Sequence, residues 1–476
     1  MKRGTPRGGW SEQVRVGTAS VVLVCGGLWA ALVVDAAEPA PASSAATSIT
    51  AAQRGYRWLT EKAYVGVDFD EATFAEVWKQ WPEPLRSQAR DADPVARRKM
   101  AFARYGLTTR PGDDSGKPLQ YVVDQDGRWG MNCFACHGGE VAGRVAPGLP
   151  NAHFALETLT EETRAAKFEM SKPLSRMDVG FVFMPLGGTN GTTNAVMFGV
   201  ALMAFRDADL NFHADRAQPK MTHHDMDAIP WWHFRKRKKI YADGFAQKGH
   251  RALMQFMLIR QNGPEKFREW EADFRDVYAY LESLRPPKYP FPVDGALAER
   301  GRKVFEANCE RCHGRYGENE SYPEVVVPID EIGTDRVRLD SLSEAHRAGY
   351  AASWFAHYGA EKIELNPSGY LAPPLDGIWA SAPYFHNGST PTLWHLLRPD
   401  ERPGVWRRRG KDYDSGRVGL AVEVVESLPA AATLTKAERR EYFDASRFGK
   451  SNSGHDYPAA LSEEEKTALL EYLKTL

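Results

Sequence analysis

Two pentapeptides, Cys133-Phe-Ala-Cys136-His137 and Cys309-Glu-Arg-Cys312-His313, constrain this chain more than anything else in it. Each places two thiols about one helical turn apart, with an imidazole next in line. Both sulfurs can then add across the vinyl groups of one porphyrin, while the histidine supplies the proximal nitrogen to its iron. A single structural zinc is the competing use of two C-x-x-C pairs. The long gap between Cys136 and Cys309, and the histidine that follows each pair, argue against it. The motifs therefore predict two covalently attached haem c groups.

The rest of the composition supports that reading. The chain has 476 residues and five cysteines, and the fifth, Cys25, lies in an apolar run at residues 21–34. Lys2, Arg3, Arg7 and Arg15 precede this run and Ala36-Ala37 follow it, the pattern of an export signal over residues 1–37. With that leader removed, every cysteine belongs to a haem motif. No disulfide framework is then expected, nor any stable insertion in a membrane. Export also agrees with the compartment in which haem is joined to thiols, so a periplasmic or secreted protein is expected. A net charge of −1 argues against nucleic acid as the main partner.

Length favours two domains. Residues 38–50 are rich in Ala, Ser and Pro and read as a tether. Residues 286–292, Pro-Pro-Lys-Tyr-Pro-Phe-Pro, cannot continue a helix and mark the best boundary. The expected architecture is mainly α: two cytochrome c-like haem domains with long loops, at 51–285 and 293–476. Helical spacing is read at 74–81, 94–105, 267–284 and 296–309. A capping box of Ser462 and Glu465 opens a last helix within 461–476.

The second axial ligand separates electron transfer from chemistry. Met257 is the last methionine, so none follows the second motif and the second haem cannot take one from its own domain. Its candidates are His346, His357, His386, His395 and His455, and bis-histidine ligation is expected. His455 is the first choice, because Ser451-Asn-Ser-Gly454 is a slim loop that can approach a flat cofactor. His386 is the rival. For the first haem the candidates are His153, His213, His223, His224, His233 and His250, plus several methionines, among them Met221 and Met226. The group His223-His224-Asp225 is the candidate for an axial ligand or a proton-delivering pair. The run Arg235-Lys-Arg-Lys-Lys239 reads as a solvated helical face that can also neutralise haem propionates.

Three stretches carry a family likeness. Asn132-Cys133-Phe-Ala-Cys136-His137-Gly-Gly with Pro147-Gly-Leu-Pro-Asn151 resembles the first haem segment of the RoxA-like di-haem cytochromes. Pro373-Pro-Leu-Asp-Gly-Ile-Trp379-Ala-Ser-Ala-Pro-Tyr-Phe-His386-Asn-Gly-Ser-Thr-Pro-Thr392 resembles their second signature, and Gly454-His455-Asp456 the C-terminal one. The wider likeness is to the bacterial di-haem cytochrome c peroxidases, which share Pro-Tyr-Phe-His-x-Gly. The resemblance implies a rubber-oxygenase-like arrangement. His137 would be proximal on the haem that binds dioxygen, and His313 with His455 would ligate an electron-transfer haem. The peroxidases place methionine on the latter, and this chain departs from them there. Nothing in the sequence supports polyisoprene as substrate.

The resulting expectation is an exported di-haem oxidoreductase. It would use peroxide or dioxygen at the first haem and exchange electrons with a redox partner through the second. The alternative is a non-catalytic di-haem electron carrier.

Overall fold

Two glycine-mediated helix crossings organise the protein. In the computed structural model, which describes residues 49–183, 187–357 and 363–476, helix Gly295–Asn308 packs against the final helix, Glu463–Leu473. Gly301 lies at their crossing, where an added Cβ would stand 1.9 Å from the Ala468 carbonyl oxygen. Only the absence of a side chain lets these backbones approach so closely. The expected terminal helix is thus present, and Ser462 with Glu465 closes its capping box. Helix Ala51–Glu61 repeats the device against helix Glu271–Ser283, with Gly55 set 2.2 Å by the same measure from the Asp276 carbonyl oxygen. Each crossing lies on the same side of the Pro-rich segment 286–292 as one C-x-x-C-H motif.

Helix Pro94–Tyr105 agrees with the sequence reading, with Asp93 capping its start and Gly106 ending it. The helix expected over 267–284 is instead two, Pro264–Glu269 and Glu271–Ser283, meeting at Trp270. The basic run 235–239 is not a helical face. It leaves a 3-10 turn, Trp231–Arg235, and enters a strand at Lys239. Arg237 is buried, and Lys236 is tied to Glu320 and to Asp376, the latter at 2.8 Å.

The expectation of a mainly α protein with two cytochrome c-like haem domains is overturned. The described residues are 42% helical and 13% strand. The described residues form two three-stranded and three two-stranded sheets. The longest ladder is the hairpin of Val405–Asp414 with Gly419–Val425, and Tyr442–Asp444 joins its other edge. Its alternation is real, since Trp406 and Arg408 are buried while Arg407 and Arg409 are not. An arginine at an inward position makes a period-two pattern read as polar, and the strand is hidden by it.

The cores do not divide into two haem domains either, because residues 49–476 form one compact unit. One core joins Leu59, Phe134 and Phe274 to Leu342, Tyr350 and Phe355 across the Pro-rich segment. Another joins Leu149 and Trp232 to Phe305, Trp379, Trp406 and Phe443. Burying such a large side chain contributes about 1.5–3 kcal/mol, which makes cross-packing a better use of these residues than leaving two separate surfaces wet. No helix among the described residues is long and apolar enough to cross a membrane. The proposed leader, 1–37, with Cys25, and all but the last two residues of the tether lie outside the described residues.

Gly301→Ala should destabilise the protein by at least the ~1–3 kcal/mol typical of overpacking, seen as a lower melting temperature. Gly349→Ala, exposed within helix Glu344–Ala352 and with nothing near its new methyl, should be neutral or stabilising by about 0.5–1 kcal/mol. Equal melting temperatures for the two variants would contradict this role for the crossing.

Candidate functional site

The first motif is held by its own neighbourhood. Asn132 Oδ1 accepts from the Phe134 amide at 2.9 Å, setting the start of the turn Phe134–His137. The loop 147–151 then wraps it. The Asn151 amide donates to the Cys136 carbonyl at 2.9 Å, and the buried Asn151 side chain donates to Ala135 O and Gly106 O. Gly139 lies so close to Pro150 that a Cβ would meet its carbonyl oxygen at 2.2 Å. His137 is oriented from further away: its Nδ1 lies 3.1 Å from the Ile229 carbonyl, and Trp231 stacks on the ring at 4.7 Å and 23°. A carbonyl can only accept, so Nδ1 carries the proton and Nε2 is free to ligate.

The second motif follows helix Gly295–Asn308 directly, with Phe305 fully buried one turn before Cys309. His313 Nδ1 faces the Pro373 carbonyl at 2.8 Å, the same arrangement as at His137. Across from His313 stands His455, with ring centres 6.1 Å apart and planes at 63°. Two imidazoles sharing one metal, at about 2.0–2.1 Å per bond, have ring centres roughly 6–6.5 Å apart. His455 is positioned at some conformational cost, since its φ is +51°, in the left-handed region that disfavours side chains. Arg402 holds it there, donating to the carbonyls of Asn452 at 2.9 Å and Gly454 at 2.6 Å. The His455 amide donates to Ile332 O at 2.7 Å, and Gly454 leaves no room for a Cβ against Gly333.

Cys309, Cys312, His313, His455 and His386 line one largely apolar cavity of about 280 Å³, with Ile229 on its far wall. His455 Nδ1, His386 Nε2 and His233 Nδ1 are buried there without hydrogen-bond partners among the described residues. Unpaired buried polar atoms around an apolar space are expensive, and a cofactor carrying iron and carboxylates would satisfy them. All four motif cysteines are free thiols. The donor set therefore fits haem at both motifs, and it fits an iron between two histidines at the second.

The other sequence candidates are placed as follows. His386 packs on Tyr370 at 4.4 Å and is not in ring contact with His313. His223 Nδ1 lies 2.8 Å from the Asn194 side-chain amide, and His224 Nδ1 lies 3.0 Å from Thr222 O. Asp225 is buried in an ion pair with Lys450 at 2.7 Å and accepts from Gly188 N and Thr192 Oγ1. None of these three is in contact with His137 among the described residues. His346 closes a helix cap, His395 pairs with Thr392, His213 with Asp207 and His250 with Glu271. Sequence reasoning missed Tyr370, Arg402 and Arg408. None carries a spacing signal, and Arg408 was concealed in a run of three arginines.

The segment that holds Pro373, Tyr370 and His386 also connects the chain to known proteins. Residues 369–407 match the family described as RoxA-like, cytochrome c-like. A cytochrome c-like region implies covalently bound haem c and an electron-transfer role, on a protein class that is typically exported. The chain is also 35% identical over 208 residues to "Uncharacterized protein y4iM" of Sinorhizobium fredii (strain NBRC 101917 / NGR234), covering 38% of this chain and 45% of that protein. It is 30% identical over 259 residues to "Uncharacterized protein y4iJ" of the same organism, covering 40% of this chain and 41% of that protein. The matches thus span less than half the length of these relatives.

Burial pushes His137 down to about 4 and His386 and His455 down to about 3, with Arg338 and His313, respectively, adding to the last two. In the unfolded chain these imidazoles take protons near pH 6.5. The unfolded state therefore binds more protons between about pH 6.5 and 4, and stability falls as pH drops through that window. Urea midpoints should be lower at pH 5 than at pH 7, and an unchanged midpoint would show that the rings are not held neutral.

Proposed function

We propose that the chain is an exported di-haem c-type cytochrome whose two irons have different tasks. Cys309, Cys312 and His313 hold one haem, with His455 as its second axial ligand. Cys133, Cys136 and His137 hold the other, which handles a small oxidant, peroxide or dioxygen. The carrying observation is the contrast between the two proximal histidines. His313 faces His455 at the separation that two imidazoles on one metal need, whereas the ring stacked on His137 is Trp231. Bound haem supplies one-electron transfer and, where a coordination position is open, the activation of peroxide or dioxygen.

The protein's part is positional. Carbonyls of Ile229 and Pro373 fix tautomer and orientation of the two proximal imidazoles, and such partners raise ligand basicity. Arg402 keeps His455 in its unfavourable backbone conformation, so this ligand is presented before any iron arrives. Residues 226–230 connect the sites. Ile229 holds His137 through its carbonyl and also lines the cavity under Cys309. Electrons exchanged with a redox partner at the second site would have this segment as a packed connection to the first. The engagement of His223 and Asp225 elsewhere favours a second reading, a carrier without catalysis, because it removes the obvious acid–base pair from the first site.

Spectroscopy of the purified protein separates the two readings. The expected result is one low-spin haem and one haem that binds carbon monoxide when reduced. Two low-spin haems inert to carbon monoxide and peroxide would leave only the carrier. His455→Ala should turn the second haem high-spin, while His386→Ala leaves it low-spin. The reverse outcome would transfer the ligand role to His386.

A further inference from the structure

Strand Val405–Asp414 carries Arg408 into the protein interior, where it is 7% exposed. None of its three guanidinium nitrogens has a hydrogen-bond partner among the described residues. A buried charge with five N–H donors and no acceptor is among the costliest groups a fold can hold, so its surroundings should supply an anion. Among the carboxylates, Asp227 acts most strongly on Arg408, ahead of Glu441, and it also acts on the Cys136 thiol. Asp227 Oδ1 is itself buried and unpaired among the described residues, so no hydrogen bond joins it to the guanidinium. His153, in the loop around the first motif, feels both Arg408 and Lys411. Lys411, on the same strand, binds Glu140 at 2.9 Å, three residues beyond His137. The arginine is thereby fixed beside the first motif by groups on both sides of it.

We propose that Arg408 is a carboxylate anchor at the first motif, and that the carboxylate it takes is a propionate of the haem held by Cys133, Cys136 and His137. This rests on the di-haem reading above. The planar guanidinium matches a carboxylate in a two-bond fork, which lysine cannot reproduce. Because the charge is buried, it is poorly screened and acts on the nearby iron. Arg408 then raises the potential of the first haem by disfavouring its ferric state, and Asp227 opposes it. Arg408 does not line the cavity of the second motif, whereas Asp227 stands in the wall between the two.

The test is a redox titration of full-length holoprotein that resolves the two haems. It is preceded by mass measurement of the haem on each motif peptide. Arg408→Met should lower the first potential, Asp227→Asn should raise it and Arg408→Lys should stay near wild type. The haem at His313 should not move in either Arg408 variant, whose side chain lies outside its cavity. Opposite shifts from Arg408→Met and Asp227→Asn are what a merely structural role would not produce. If the peptide containing Cys133 and Cys136 carries no haem, the di-haem reading and this anchor fall together. If it carries haem and folded Arg408→Met keeps the wild-type potential, only the anchor falls. Should Arg408→Met fail to accumulate, an unmoved first potential in Asp227→Asn overturns it. If added acetate shifts the wild-type first potential as Arg408→Met does, the guanidinium takes a carboxylate from solution and the assignment to the cofactor is wrong.

Discussion

The backbone carbonyls of Ile229 and Pro373 are the hinge on which both sites turn. Each accepts from Nδ1 of a motif histidine, one at 3.1 Å and the other at 2.8 Å. A C-x-x-C-H turn delivers an imidazole to the right neighbourhood but leaves its ring free to rotate and either nitrogen free to carry the proton. One hydrogen bond to a carbonyl removes both freedoms, and does so with a group that cannot titrate. The carbonyls lie 92 and 60 residues from their histidines. Everything that places those two segments, the shared cores and the helix crossings, therefore acts on ligand geometry.

The C-terminal half also closes the first motif. The hairpin beginning at Val405 lays Trp406 into a core with Leu149 and Ala152, from the loop around Cys136. Lys411 reaches Glu140 and Arg408 enters the adjoining interior. In the opposite direction, residues 226–230 and Arg237 line the cavity of the second motif. Each half thus completes the other's site. The coupling is physical rather than topological: a displacement of residues 226–230 alters the His137 hydrogen bond and the wall beside Cys309 together.

Much of the site was legible in the sequence because covalent chemistry is local. Thiols and histidine must occupy adjacent turns, so Cys133, Cys136, His137, Cys309, Cys312 and His313 announce themselves by spacing. The Ser-Asn-Ser-Gly loop made His455 the first choice over His386, but the sequence left both open. Helices with caps and a clear apolar face were legible too, as at Pro94–Tyr105 and in the last helix. The mainly α reading failed where inward positions of a strand hold arginine, and the two-domain reading failed where apolar side chains cross a Pro-rich segment. Arg402 and Arg408 were illegible for a related reason, since a charged residue looks the same in sequence whether it is solvated or enclosed.

The sequence by itself determined which thiols and imidazoles stand at haem-attachment spacing, and it places no methionine after Met257. Those are properties of residue type and of separations within a few residues, which the chain carries into any fold. Tertiary structure alone decided which histidine faces His313 and which carbonyl orients each proximal ring. It also decided that a buried guanidinium should stand unpaired beside the first motif. Such relations join residues 60 to 270 positions apart, and only packing, with its close-fitting glycines and shared aromatic cores, brings them within hydrogen-bond reach.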